Sequence, residues 1–237
     1  MTSTIWQKKI LLAPSLISCC DFCHLSQDIQ DMEHSGIEVL HIDIIDGHFS
    51  PSMPLGLETV RQLRGITDMA LDVHLMTTNN DFFVDELLSI GVEQIVFHLE
   101  SERHAQRLLN RIHDAGVRAG VALAPGTSLT ELDFLINECD LVLLMLINPG
   151  FASVGNERQV TYTNEKIIAL RTMIRNRGLK TLIAIDGRVA PDDVRRYGPD
   201  LVNLFVVGST CVARDNLCEG LQVMQKLRQS LLSGEDN

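Results

Sequence analysis

A regular alternation of short apolar strands with longer amphipathic helices predicts an α/β protein of the (β/α)8 barrel class. Three observations carry this. There are eight strand candidates in one chain, glycines recur where helices end, and 237 residues run without a Pro/Gly/Ser-rich linker. The strand candidates are Ile10–Ile17, Val39–Ile44, Ala70–Leu75, Gln94–His98, Val117–Leu123, Leu141–Ile147, Thr181–Ile185 and Leu201–Val207. Each is apolar nearly throughout, as strands buried on both faces are.

The helices read in the same order. Asp81–Ile90 carries Phe82, Phe83, Leu87 and Leu88, and Glu102–Ala115 carries Leu108, Leu109 and Ile112. Asn164–Asn176 carries Ile167, Ile168 and Leu170, and a last helix places Leu217, Leu221, Met224, Leu227 and Leu231 on one face. Gly36, Gly65, Gly91, Gly116 and Gly178 fall where a left-handed cap would turn the chain back toward the sheet. An open doubly wound sheet is the competing architecture. It would place a Gly-rich dinucleotide loop after the first strand, and Pro14-Ser15-Leu16-Ile17-Ser18 is no such loop. One domain over residues 1–237 is expected, with its ordered core at about 9–232.

Composition narrows the function classes. With 45% apolar and 22% charged residues the chain is ordinary globular protein, which excludes disorder, collagen-like repeats and a disulfide miniprotein. The net charge of −11 argues against a nucleic-acid partner, and no apolar run reaches the ~20 residues of a membrane span. Lys8-Lys9 before Ile10–Ile17 mimics a signal peptide, with Ser18-Cys19 as its end. A buried first strand is the better reading, because cleavage would remove an element the barrel needs. Cys20-x-x-Cys23, placed in the first helix, has no second pair to complete a zinc site. Reduced thiols in a cytoplasmic protein are expected.

Functional groups of such a barrel belong at the C-terminal ends of its strands. His41 and Asp43, two apart on strand two, project to the same side. His74 ends strand three and Asp186 follows strand seven. Singly, such a histidine is most often a hydrogen-bonded structural residue and such an aspartate a helix cap. Together, two imidazoles and two carboxylates at one barrel mouth suit zinc, manganese or iron. A phosphate-binding end is expected at strands six to eight. Gly208-Ser209, Gly187-Arg188 and the segment Gly150-Phe151-Ala152-Ser153 lie there, where backbone N–H groups approach an anion closely. Ordinary turns use the same residues.

Taken together, these motifs resemble the ribulose-phosphate 3-epimerase family, including its allulose-6-phosphate branch. The most specific segment is His41-Ile42-Asp43-Ile44-Ile45-Asp46-Gly47-His48-Phe49, similar to the family's HxDxMDGxF. Asp72-Val73-His74-Leu75-Met76, Phe97-His98-Leu99-Glu100, Ala124-Pro125-Gly126-Thr127 and Asn148-Pro149-Gly150-Phe151 follow in family order. The resemblance implies an epimerase that inverts C3 of a ketose phosphate through a cis-enediolate. It implies one divalent ion (zinc, manganese, iron or cobalt) on His41, Asp43, His74 and Asp186, with Asp43 and Asp186 as the two acid/base groups. Ser15 and His74 would meet the substrate, Met76 and Met145 would cap the enediolate, and a homo-oligomer is implied by resemblance only.

The departures cluster at the phosphate end. Ala152, Ser153 and Val154 replace the last three residues of the family's NPGFGGQ, an insertion Gly155-Asn156-Glu157-Arg158 follows, and Arg188 replaces a glycine. Ile45 replaces a methionine and Ser52 an asparagine. Arg188 could supply a charged fork to the phosphate or block its place; the first is favoured. Two other readings compete. A phosphate-barrel lyase or decarboxylase would want a lysine at a strand end, yet Lys180 precedes strand seven. A non-catalytic sugar-phosphate-binding barrel would have no use for the intact ligand set.

Overall fold

The computed structural model describes residues 4–152, 154–212 and 216–234. Eight parallel strands form its barrel: β1 Leu11–Pro14, β2 Val39–Ile45, β3 Ala70–Met76, β4 Gln94–His98, β5 Arg118–Leu123, β6 Leu141–Met145, β7 Leu182–Asp186 and β8 Leu204–Val207. Seven neighbouring pairs run β1-β8-β7-β6-β5-β4-β3-β2. The seam between β1 and β2 is closed by one parallel bridge, Ser15 to His41. The helices around it are α1 Leu16–Cys19, α2 Leu25–His34, α3 Leu57–Arg64, α4 Asn80–Ile90, α5 Ala105–Asp114, α6 Thr163–Asn176, α7 Pro191–Tyr197 and α8 Leu217–Ser233.

Period-two alternation divides each strand between two cores. One parity faces the helices: Leu40, Ile42, Leu71, Val73, Ile95, Phe97, Val142, Leu144, Ile183, Ile185 and Phe205 join the helix faces in the larger apolar cluster. The other parity fills the barrel with Leu11, Ala13, Val39, Val96, Leu143, Ala184, Leu204 and Val206. Trp6 and Ile5 plug its floor, where the Arg118 guanidinium lies 5.0 Å over the indole ring.

Several sequence expectations are corrected. The first strand stops at Pro14, and Leu16–Cys19 turns helical, so the predicted Ile10–Ile17 run is half strand. Cys20 and Cys23 lie between α1 and α2 rather than in a helix. All six cysteines are unbridged thiols. The crossover from β5 to β6 carries two 3-10 turns, Leu129–Leu132 and Ile136–Glu138, in place of an α-helix. Its apolar residues Leu129, Leu132 and Leu135 recur every third position, the period of that tighter helix. Gly65 has φ −77°, unlike the left-handed Gly36, Gly91, Gly116 and Gly178. Ile66 and Thr67 instead return N–H bonds to the Leu63 carbonyl, which turns the chain without it. Among the described residues no helix is long and apolar enough to cross a membrane.

Candidate active site

Strands β2, β3 and β7 bring the predicted ligand residues together at the barrel mouth. One donor atom each of His41, Asp43, His74 and Asp186 lies within 4.8 Å of the other three. Asp43 is the hub. Its Oδ1 is 3.3 Å from His41 Nε2 and 3.2 Å from His74 Nδ1, while its Oδ2 accepts the Ser15 hydroxyl at 3.1 Å. Asp186 Oδ2 stands 3.9 Å from His74 Nδ1. Donors around one ion at ~2.1 Å sit ~3–4 Å apart, so these separations suit a shared cation. His41 Nε2 is the test of fit. It is buried, lacks a hydrogen-bond partner and faces the cluster, as a ligand nitrogen does before it is used.

The free nitrogen of His41 follows from a rung of register partners. His41, Asp72, Gln94 and Arg118 stand opposite one another on β2, β3, β4 and β5. Their side chains bond in that order inside the barrel. His41 Nδ1 meets Asp72 Oδ2 at 2.8 Å, Gln94 Nε2 donates to Asp72 Oδ1 at 2.8 Å, and Arg118 Nε donates to Gln94 Oε1 at 3.0 Å. A carboxylate on one ring nitrogen holds a proton there and turns the other nitrogen to the cluster, where a metal would take the place of a second proton.

Electrostatics separate the two carboxylates. Burial disfavours the charged form of Asp43, but the imidazoles of His41 and His74 outweigh it and hold the group well below the usual carboxylate range. Burial also disfavours the charge on Asp186, and the neighbouring Asp43 adds to this, so its pKa is pushed up to about 7. At His41 burial opposes the charge, yet Asp43 and Asp72 win and the direction is well above ordinary histidine. One carboxylate held ionised beside another whose pKa is raised toward neutrality is the arrangement of an acid/base pair.

A stability test follows for chelator-treated protein. A carboxyl raised on folding contributes stability below its unfolded pKa of about 3.8, and this is lost as pH rises through about 7. Asp186→Asn removes that loss. In urea titrations the variant should match the parent near pH 4 and exceed it at pH 8. A parent and variant that run parallel across this range would contradict the assignment.

A cavity of about 390 Å³ opens above the cluster, within the ~300–1,000 Å³ of small-molecule sites. Ser15, Asp43, Met76, Met145, Gly150, Ala152, Asp186, Gly187, Arg188, Gly208 and Ser209 all line it. His74 is fully buried beneath, Phe151 is outside the lining, and Ser153 lies outside the described residues. Gly187 is held at φ 109°, and a Cβ there would stand 2.9 Å from the Ile147 nitrogen. At Gly150 (φ 85°) a Cβ would strike Ser50, so the β2 and β6 loops touch through this glycine. Arg188 has φ 52°, the one non-glycine with positive φ among the described residues. Its Nη2 donates to the carbonyls of Ala152 at 3.2 Å and Val154 at 2.9 Å, fastening the altered loop to the end of β7.

The sequence reading left Asp72, Gln94, His98 and Glu100 out of the site. His98 Nε2 lies 3.0 Å from His74 Nε2, and Glu100 holds the far side of His98. The inward parity that selects His41 and Asp43 also selects Asp72 with His74, and Gln94 with His98. That signal was present in the sequence.

The profile of the ribulose-phosphate 3 epimerase family matches residues 11–212. Ribulose-phosphate 3-epimerase of Synechocystis sp. is 34% identical over 216 residues, covering 90% of this chain and 92% of that protein. The Bacillus subtilis protein of that name is 36% identical, over 84% of this chain and 91% of its own. Among solved structures, 3-keto-L-gulonate-6-phosphate decarboxylase from Vibrio cholerae superposes with a TM-score of 0.66 at 12% identity, over 95% of this chain and 98% of that one; it shares the fold. With a profile match across most of the barrel and relatives of this identity over most of their length, the chain belongs to the ribulose-phosphate 3-epimerase family, a family of carbohydrate epimerases.

Proposed function

We propose that the protein inverts C3 of a ketose phosphate, ribulose 5-phosphate and xylulose 5-phosphate or a related ketohexose 6-phosphate, using Asp43 and Asp186 as opposed acid and base. The observation that carries this is the pair itself. Two carboxyl groups line one cavity, one held ionised and the other raised to about 7. The C3 hydrogen, next to the C2 carbonyl, passes to the Asp43 carboxylate and leaves an enediolate. Asp186 delivers its proton to the opposite face of C3, which inverts the centre. Ser15 steadies Asp43 through its hydroxyl bond, and the apolar side chains of Ile45, Met76, Met145 and Val206 keep water from the intermediate. His41, Asp43, His74 and Asp186 would hold one divalent ion, which when bound supplies Lewis-acid stabilisation of the charge gathering on the substrate oxygens.

No lysine stands among the cavity-lining residues, which speaks against Schiff-base lyase chemistry. Lys166 is spent elsewhere, donating to the carbonyls of Ala124 and Pro125. A cytoplasmic location and a homo-oligomeric state belong to the same proposal and rest on the family alone. Following ribulose 5-phosphate by NMR with metal-reconstituted protein tests the reading. Accumulation of xylulose 5-phosphate is expected; inertness toward ketopentose and ketohexose phosphates alike would contradict it.

Arg188 is the residue we assign to the anion. A left-handed arginine costs about 1–3 kcal/mol in backbone strain, and neither Asp192 nor Asp193 compensates it. Asp192 pairs with Arg195, and Asp193 accepts from the Ala190 nitrogen and Gln159. Arg188 instead lines the cavity with Gly187, Gly208 and Ser209, its Nε buried without a hydrogen-bond partner. Arg188→Ala should weaken binding of ribulose 5-phosphate by about 1.5–3 kcal/mol and leave binding of ribulose unchanged. Calorimetric titration of both ligands checks this. Equal losses for the two, or none, would remove Arg188 from the phosphate site.

A further inference from the structure

His74 differs from His41 in which nitrogen it turns to the cluster. His41 offers Nε2, whereas His74 offers Nδ1, 3.2 Å from Asp43 and 3.9 Å from Asp186. A ring nitrogen serves as a metal ligand only as a lone pair, so the proton of His74 must sit on Nε2. That atom faces no carboxylate. It faces Nε2 of His98 at 3.0 Å, an imidazole nitrogen that can either give or accept a proton.

The direction is set one residue further out. His98 Nδ1 lies 2.9 Å from Glu100 Oε2. The other oxygen of Glu100 accepts the Ala124 N–H at 2.7 Å and the Thr127 hydroxyl, which anchor the carboxylate to the loop after β5. A carboxylate so engaged can only accept. His98 therefore carries its proton on Nδ1, presents a lone pair at Nε2, and accepts from His74 Nε2–H. His98 is fully buried, and Phe49 packs on its ring at 4.7 Å between centroids, so it has no other orientation to adopt.

We propose that Glu100, acting through His98, is the positioning pair that fixes His74 in the tautomer with its Nδ1 lone pair turned into the metal site. Asp72 does directly for His41 what Glu100 does for His74 through an interposed imidazole. The proposal rests on the metal reading above and not on the reaction.

Glu100→Gln tests it, because the substitution keeps shape and reverses polarity. The amide oxygen stays with Ala124 and Thr127, and the amide NH2 then faces His98 Nδ1. His98 must move its proton to Nε2, and His74 must move its own to Nδ1. In metal-free protein labelled with 15N-histidine, long-range proton–nitrogen correlation spectra should show His98 as Nδ1–H in the parent and Nε2–H in Glu100→Gln; His98 is the readout because the Asp43 carboxylate, 3.2 Å from His74 Nδ1, competes for the His74 proton until a metal is bound. Titrated with cobalt(II), the variant should bind about 10–100-fold more weakly. His98→Gln restores the polarity, its oxygen accepting from His74 and its nitrogen donating to Glu100, and should stay within a few-fold of the parent affinity. Thermal unfolding of each metal-free protein separates a loss of fold from a loss of orientation. Parent His98 protonated on Nε2, or Glu100→Gln with parental tautomers and affinity, would overturn the proposal through the relay itself. Failure of the parent to bind cobalt(II) would overturn it through the metal reading, and the tautomers, read without metal, tell the two failures apart.

Discussion

Asp43→Asn and Asp186→Asn should each lower kcat on ribulose 5-phosphate by about 10²–10⁴-fold, the range contributed by a positioned acid or base. Neither amide can accept the C3 proton or deliver one. Both residues also belong to the cluster that would hold the ion, so metal content has to be measured beside the rate. The two variants should differ in what they retain. With one carboxylate left, the surviving group can still exchange the C3 hydrogen of the epimer it faces, without inverting it. Each variant should therefore wash solvent deuterium into one epimer and leave the other untouched. Wild-type turnover in either metal-loaded variant would reject the two-carboxylate mechanism.

Asp72→Ala carries the second largest effect, and it is an effect on stability. The Asp72 carboxylate accepts from His41 on one oxygen and from Gln94 on the other, with every one of the three side chains buried. Removing it strands the His41 Nδ1–H and the Gln94 amide inside the barrel. Gln94 is in turn the acceptor for Arg118 Nε, whose guanidinium also holds the Asp140 carbonyl at 3.2 Å. Breaking a buried ion pair from one side costs about 3–5 kcal/mol. Chemical denaturation of the metal-free variant should show a loss of that size. A loss below ~1 kcal/mol would mean that water replaces the carboxylate and that the rung does not organise the barrel interior.

The sequence made the barrel legible because every strand is apolar on both parities or polar on only one. Val39-Leu40-His41-Ile42-Asp43 shows both at once: Leu40 and Ile42 face the helices, while His41 and Asp43 enter the barrel. The four positions of the His/Asp cluster were readable for the same reason. Strand ends were less so, since Leu16 and Ile17 continue an apolar run while the chain has already turned into α1. The crossover after β5 departs from the strand–helix alternation, its three-residue apolar period giving two 3-10 turns where the barrel pattern expects a helix. Gln94, His98 and Glu100 received no role for another reason. Parity turns Gln94 and His98 into the barrel, but their roles depend on the side chains they meet there, and that of Glu100 on the path of the loop after β5. Arg188 was singled out as a departure, but its bonds to Ala152 and Val154 required the path of the inserted loop.

The central claim is that two different carboxylates act on opposite faces of C3. The measurement that tests it most directly is the early-time isotopic composition of both epimers when ribulose 5-phosphate is converted in deuterated water. Asp186 exchanges its proton with solvent before each turnover, whereas the proton removed by Asp43 starts as protium. The account predicts xylulose 5-phosphate fully deuterated at C3 while the remaining ribulose 5-phosphate is still largely protium there. Product that keeps the protium of its substrate at C3 would contradict it, because a single group would then have carried the same hydrogen from one face to the other.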